Sequence, residues 1–173
     1  MDSTTVKMHL FLDACCEIES ICAEIYYFFA EHFIDEPRVS RLWCKTAMEE
    51  ENHARHVYLA KKMVESISWV SLESWRDASR ARDAVRQLAV AVQKSPPSIE
   101  DALRLSLQCE ERMERFHMQN AMLMKEKGGN DLFRALMRED REHASLLKAA
   151  LDEQLTQTES AMAFPMGEIC PAA

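Results

Sequence analysis

Glu50-Glu51-Asn52-His53 and Asp140-Arg141-Glu142-His143 are the two stretches that decide how this chain folds. Each sets a carboxylate three residues ahead of a histidine inside a helix-forming run. Residues three apart are neighbours on one face of an α-helix, so a carboxylate oxygen and an imidazole nitrogen can reach one ion without bending the backbone. One such pair arises by chance on many solvated helix faces. Two pairs read as a metal site written twice.

Working outward, each pair follows an earlier carboxylate at nearly the same interval: Glu19 stands thirty-one residues before Glu50, and Glu110 thirty before Asp140. Seven residues beyond Glu19 lies Tyr26, and seven beyond Glu110 lies His117. Seven residues are two helical turns, so each follower shares its carboxylate's face, and the two halves of the chain are in register. Four-helix bundles that hold two iron or manganese ions take one Glu from each of two helices and a Glu-x-x-His pair from each of the other two. Glu19, Glu50, His53, Glu110, Asp140 and His143 make up such a set here.

The periodicity predicts four long helices. The first spans about Ser3 to Phe33, with Leu12, Cys16, Ile21, Ile25, Phe28 and Phe29 on one broad face. Ile34-Asp35-Glu36-Pro37 ends it and starts a second that runs to about Ser66, since proline suits a first helical turn and acidic residues suit a helix N-terminus. Residues 67–97 read as a long connection: Trp69 and Trp75 lie in a Ser-rich link, and Asp77 to Lys94 forms an added helix with Ala84, Leu88, Ala91 and Val92 inward. Ser95-Pro96-Pro97 stops it, and Ser98 with Asp101 caps a third long helix reaching about Lys127. Gly128-Gly129-Asn130 reads as a break before the fourth, with Asn130 or Asp131 as its cap and its end near Gln157. The expected fold is therefore all-α, a ferritin-like four-helix bundle over residues 1–160 whose long crossover between the second and third bundle helices carries an extra helix. Residues 161–173, with Pro165, Gly167 and Pro171, read as an irregular tail.

Composition agrees with one helical domain. The chain has 173 residues, only three glycines and five prolines, and a formal charge of −8, which argues against nucleic acid or an anionic membrane as a partner and suits a protein that attracts cations. No secretory signal and no apolar run long enough to span a bilayer is visible, so a soluble, cytoplasmic protein is expected. The six cysteines include no Cys-x-x-Cys, so no rubredoxin-type iron centre is encoded, and buried reduced thiols are expected. His9, His32 and His56 read as packed or solvated helix residues, and the eleven methionines as adaptable core filler.

With these residues on one set of faces, the chain resembles the ferritin-like di-iron carboxylate superfamily, most nearly its rubrerythrin group. The resemblance covers about residues 10–155 and rests on Glu19 with Tyr26, Glu50-x-x-His53, Glu110 with Phe116-His117, and Asp140-x-x-His143 followed by Leu146-Leu147. It implies two metal ions bridged by Glu50 and a carboxylate of the last helix, with Glu19 and Glu110 as terminal ligands and one histidine on each ion. It implies that Tyr26 donates a hydrogen bond to a ligand carboxylate. His117 stands where the internal symmetry suggests a second tyrosine, as a partner of the same kind or an extra ligand.

The chain departs from the pattern at three places. Asp140 stands where the group has Glu, and Glu139, four residues before His143, shares enough of that face to be the alternative ligand. Met113 occupies the position one turn after the third-helix ligand at which rubrerythrins typically carry another glutamate, with Glu114 one residue further. On the first helix Glu17 competes with Glu19, although two residues apart on a helix puts them on nearly opposite faces, and the Glu19–Tyr26 spacing favours Glu19.

The resemblance implies a non-haem dinuclear-iron oxidoreductase of peroxidase or ferroxidase type, reacting with hydrogen peroxide or dioxygen and served by an external electron donor. Manganese or a mixed pair fits the same ligands. The alternatives are iron storage of ferritin type and a metal-free helical interaction protein. A homodimer is expected, with Trp43, Trp69 and Trp75 as contact or core residues.

Overall fold

The computed structural model describes residues 5–63, 69–124 and 127–163. Its elements are β1 (Thr5–Lys7), α1 (Met8–His32), α2 (Pro37–Met63), β2 (Trp69–Ser71), α3 (Leu72–Lys94), α4 (Ile99–Leu123) and α5 (Lys127–Ala163). The long helices α1, α2, α4 and α5 form a ferritin-like bundle. Helix α1 packs on α2, α4 on α5, and α2 on α5, while α3 belongs to the crossover and lies against α1.

Helix α1 buries Phe11, Leu12, Cys15, Ile18, Cys22, Ile25, Tyr26 and Phe29, a stripe recurring every three or four residues. Glu19 lies in the middle of that stripe and goes inside with it. The same thing happens on the other three helices. Glu50 is flanked by buried Trp43, Ala47, Ala54 and Val57, Glu110 by Leu103, Met113 and Phe116, and Asp140 by Phe133, Leu136 and Leu147. Apolar burial of this kind is worth about 1.5–3 kcal/mol per large side chain. It supplies the force that drags four carboxylates out of water, each of which resists by several kcal/mol unless it finds a partner.

Short links fix the pairing. Between α1 and α2, Phe33 N–H donates to the Phe29 carbonyl at 3.0 Å and Ser40 Oγ to the Ala30 carbonyl at 2.7 Å, which closes an antiparallel hairpin whose second helix starts at Pro37 as its sequence predicts. Trp43 lies wholly in the core and its indole N–H donates to Ser106 Oγ at 2.9 Å, tying α2 to α4. Trp69 is exposed and Trp75 packs against the core from α3.

Several expectations need correction. Residues 5–7 are not helical; they pair antiparallel with 69–71, with Val6 opposite Val70. Helix α3 starts at Leu72, earlier than Asp77, because Ser71 Oγ accepts from Ser74 N–H at 3.0 Å and caps it there. Its inward face is Ala78, Val85, Ala89 and Val92, whereas Ala84 and Ala91 face outward. Gly128-Gly129-Asn130 does not separate two helices, for all three lie in the first turn of α5 and no described glycine has positive φ. Asn130 reaches back instead, donating from Nδ2 to the Ala121 carbonyl at 2.6 Å. Met113 and Met124 pack inward, while Met118 and Met122 lie on the outer face of α4. Helix α5 continues to Ala163, and residues 64–68 and 164–173, which hold the expected end of the second helix and most of the expected tail, lie outside the described residues. None of the described helices is long and apolar enough to cross a membrane.

Candidate metal centre

Each bundle helix delivers two side chains to one point. Helix α1 brings Glu19 and Tyr26, α2 Glu50 and His53, α4 Glu110 and His117, and α5 Asp140 and His143, all of them at most 3% exposed. Two ligand sets form within this group: Glu19, Glu50 and His53 offer donor atoms within 4.8 Å of one another, and so do Glu50, Glu110, Asp140 and His143. Glu50 belongs to both. His53 Nδ1 lies 3.3 Å from Glu50 Oε2 and 3.6 Å from Glu19 Oε2, and His143 Nδ1 lies 3.1 Å from Glu50 Oε1 and 3.3 Å from Glu110 Oε2. The two imidazole rings stack with centroids 5.7 Å apart, one in each set.

The followers two turns along also meet the centre, and each crosses to the other half. Tyr26 on α1 donates its hydroxyl proton to Glu110 Oε1 at 2.5 Å. His117 on α4 sits between Glu19 and Asp140, with Nε2 3.0 Å from Glu19 Oε1 and Nδ1 2.6 Å from Asp140 Oδ2. Phe116 and Phe133 flank its ring, with centroids 5.5 and 5.8 Å away.

Buried polar atoms ordinarily find hydrogen-bond partners. Here Glu19 Oε1 and Oε2, Glu50 Oε1, His53 Nδ1, His117 Nε2 and Asp140 Oδ1 are buried without a hydrogen bond, and among the described residues Ser79 Oγ is the one such atom outside this cluster. Six orphaned donor atoms of carboxylate and imidazole type, converging in one place, fit a pair of divalent cations: each costs desolvation that metal ligation offsets. Without metal, protons take over the compensation. Burial disfavours the imidazolium forms, but the carboxylates Glu19 and Glu50 beside His53 push its pKa up to about 12, Asp140 and Glu19 push His117 up to about 10, and Glu110 and Glu50 push His143 up to about 11. Burial, and then the like charge of Glu110, push Glu50 up to about 8. Burial opposes ionisation of Glu19 too, yet the His117 and His53 imidazoles hold it well below the usual carboxylate range.

The structure separates the alternatives left open by spacing. Asp140 lies in the cluster and is fully buried, whereas the Glu139 side chain is about half exposed. Glu17 points outward and pairs with Arg86 Nη2 at 2.8 Å. Glu114 also points away from the centre and is held by Arg141 at 2.6 and 2.8 Å, while Met113 is buried in the apolar core.

Two contacts escaped the sequence reading, which has Glu139 only as an alternative ligand to Asp140. Glu139 Oε2 lies 2.7 Å from His53 Nε2, and Glu49 Oε2 lies 3.0 Å from His143 Nε2. Each imidazole thus turns one nitrogen to the centre and the other to a carboxylate of the opposite helix. The signal was present: an acidic residue stands directly before both Glu50 and Asp140, repeated in register. Glu49, Glu139 and His143 line a surface pocket of about 350 Å³ with Lys45, Arg138 and Glu142, so His143 belongs both to this rim and to the centre.

The rubrerythrin family model matches residues 11–151 of the chain. No curated protein matches. A similar solved structure is that of symerythrin from Cyanophora paradoxa, reduced with dithionite, at 23% identity and a TM-score of 0.57 over 90% of each chain, a likeness that shows the shared fold. With four fifths of its length inside the family model and the ligand-type residues of both halves gathered at the bundle centre, the chain belongs to the rubrerythrin family.

Proposed function

We propose that the chain is a dinuclear-metal oxidoreductase that reacts with hydrogen peroxide or dioxygen and is served by an external electron donor. One observation carries this reading: Glu50 is common to two buried ligand sets, which is what a carboxylate shared between two ions requires. Glu19 and His53 would complete one ion's ligands, Glu110 and His143 the other's, with Asp140 beside Glu110. Iron is the metal proposed, and manganese or a mixed pair suits the same oxygen and nitrogen donors. When bound, the ions supply one-electron redox changes and coordination positions for the oxidant.

The protein's share of the work follows from its own groups. Four carboxylates balance two dications, so the loaded centre adds little net charge to the core, the ions taking over the compensation that protons supply without them. Tyr26 fixes the direction of Glu110 by donating to Oε1, which leaves Oε2 facing His143. Glu49 and Glu139 accept from the outer nitrogens of His143 and His53 and so keep the proton there, leaving each Nδ1 free to act as a donor atom. His117, held between Glu19 and Asp140, is a proton store next to two of the carboxylates. Phe11, Phe116 and Phe133 keep water off that side.

The decisive experiment combines metal analysis of gently purified protein with peroxide consumption by the loaded form under a supplied reductant. Two iron or manganese ions per chain and metal-dependent turnover, carried by a homodimer on native mass analysis, are expected. Metal-free protein that refuses iron and manganese sinks the reading, and a particle of many subunits would favour storage instead.

A further inference from the structure

Two thiols next to the centre have no part in holding it. Cys22 on α1 and Cys109 on α4 are buried and face each other with their Sγ atoms 3.8 Å apart. Cys22 stands one turn after Glu19 and one turn before Tyr26, and Cys109 directly precedes Glu110. Since Tyr26 donates to Glu110, the sulfur pair, the phenol and the carboxylate belong to one buried group that runs from the centre into the core. An isolated buried cysteine is normally inert filler. Cys15 is such a case, equally buried but with no thiol contact among the described residues, while Cys44 is exposed.

We propose that Cys22 and Cys109 are an internal dithiol reductant for the centre, closing to a disulfide as they release two electrons and two protons. The inference rests on the peroxide reading above and names a reductant within the same chain. In the balanced step, the two S–H bonds break and one S–S bond forms, while the O–O bond of hydrogen peroxide is cleaved; its two oxygens take up the two electrons and two protons and leave as two molecules of water. A dithiol carries the two electrons that one peroxide requires and ends as a reducible disulfide, whereas a lone cysteine gives up two electrons only by taking an oxygen onto sulfur as a sulfenic acid. Closure asks the sulfurs to move from 3.8 Å to the roughly 2.05 Å of a disulfide, by rotation of both side chains and a small approach of α1 and α4. Because both sulfurs are buried, the centre and not bulk peroxide is the route of their oxidation. Reopening the bridge falls to the external donor.

The test treats the full chain, loaded with iron(II) and freed of excess metal, with hydrogen peroxide in the absence of added reductant. After acid quenching and alkylation, the cysteines are mapped by peptide mass. A Cys22–Cys109 linked peptide, two hydrogen masses lighter than its thiol form, is expected in loaded protein and not in metal-free protein under the same peroxide. C22S and C109S should keep the wild-type iron content and each consume one fewer molecule of peroxide per chain. Peroxide consumption with both thiols still alkylated overturns the internal reductant and leaves the proposed function standing. Failure of loaded protein to consume peroxide overturns both. A bridge that forms equally without metal overturns the coupling to the centre. If the serine variants lose iron, the wild-type thiol map alone decides.

Discussion

Replacing Glu50 by alanine removes the one side chain on which both ligand sets depend, so Glu50→Ala should lower bound metal from two ions per chain to one or none in elemental analysis. The same change takes a carboxylate from between His53 and His143 and leaves a void in the core, so the metal-free variant should be less stable than the wild type in urea. Retained binding of two ions would refute the shared role. The outer carboxylates act more gently. Glu49→Gln and Glu139→Gln leave every atom facing the centre in place but weaken the grip on His143 and His53, and each should reduce metal affinity by about 10-fold to 100-fold in equilibrium titration. Unchanged affinity in both would make them surface residues only. These two show how far residue types can be read from spacing. Glu19 was legible against Glu17 because helical phase puts residues two apart on opposite faces, and that phase survives in the structure. Asp140 and Glu139 were not separable, because adjacent residues differ in phase by only a little over a quarter turn, and packing against the rest of the bundle sets the rotation.

At the level of elements, the start of α4 is the clearest match between local sequence and structure. Ser98 Oγ accepts from Asp101 N–H at 3.2 Å and donates to Asp101 Oδ2 at 2.9 Å, so the cap and its partner support each other at the mouth of a helix that carries Glu110 and His117. Ser98→Ala should cost about 1 kcal/mol, seen as a lower urea midpoint at unchanged slope. A shift as small as that of a surface substitution would mean that packing alone fixes this helix start. The crossover was harder to read. In α3 the alternatives Ala84 and Ala91 carry almost no preference for inside or outside, so the β-branched Val85 and Val92, with Ala78 and Ala89, settle the face through contact with α1. The paired strands at 5–7 and 69–71 are three residues each, too short for an alternating pattern to stand out. Gly128 and Gly129 misled for a related reason: glycine marks a helix end when it takes positive φ, and neither does.

For the whole molecule, the centre without metal is a set of buried charges held neutral by protons, and this makes stability depend on pH in a defined direction. His53, His117 and His143 have folded pKa values pushed up to about 12, 10 and 11, against roughly 6.5 in an unfolded chain. Between those limits the folded protein holds more protons than the unfolded one. Their contribution is therefore fully present below the unfolded value and is lost as pH rises toward the folded values, with a slope on the order of 1 kcal/mol per pH unit for each imidazole. Glu50, pushed up to about 8, and Asp140, pushed up to about 6, act in the same sense at lower pH, because the folded state keeps protons that the unfolded carboxylates release. Glu19 acts oppositely: it is held below the usual range, so its contribution is present above the unfolded carboxylate value and fades only in strong acid. Chelator-treated protein should then melt at progressively lower temperature from pH 7 to pH 10, while protein loaded with two divalent ions should melt higher and change much less across that range, the ions having displaced the protons. Loading at pH 7 should also release protons into a weakly buffered solution, readable by calorimetry in buffers of different ionisation heat. A metal-free melting temperature that stays level or climbs between pH 7 and pH 10 would mean that the imidazoles do not carry the compensating charge, and the electrostatic account of how four helices keep their carboxylates inside would have to be abandoned.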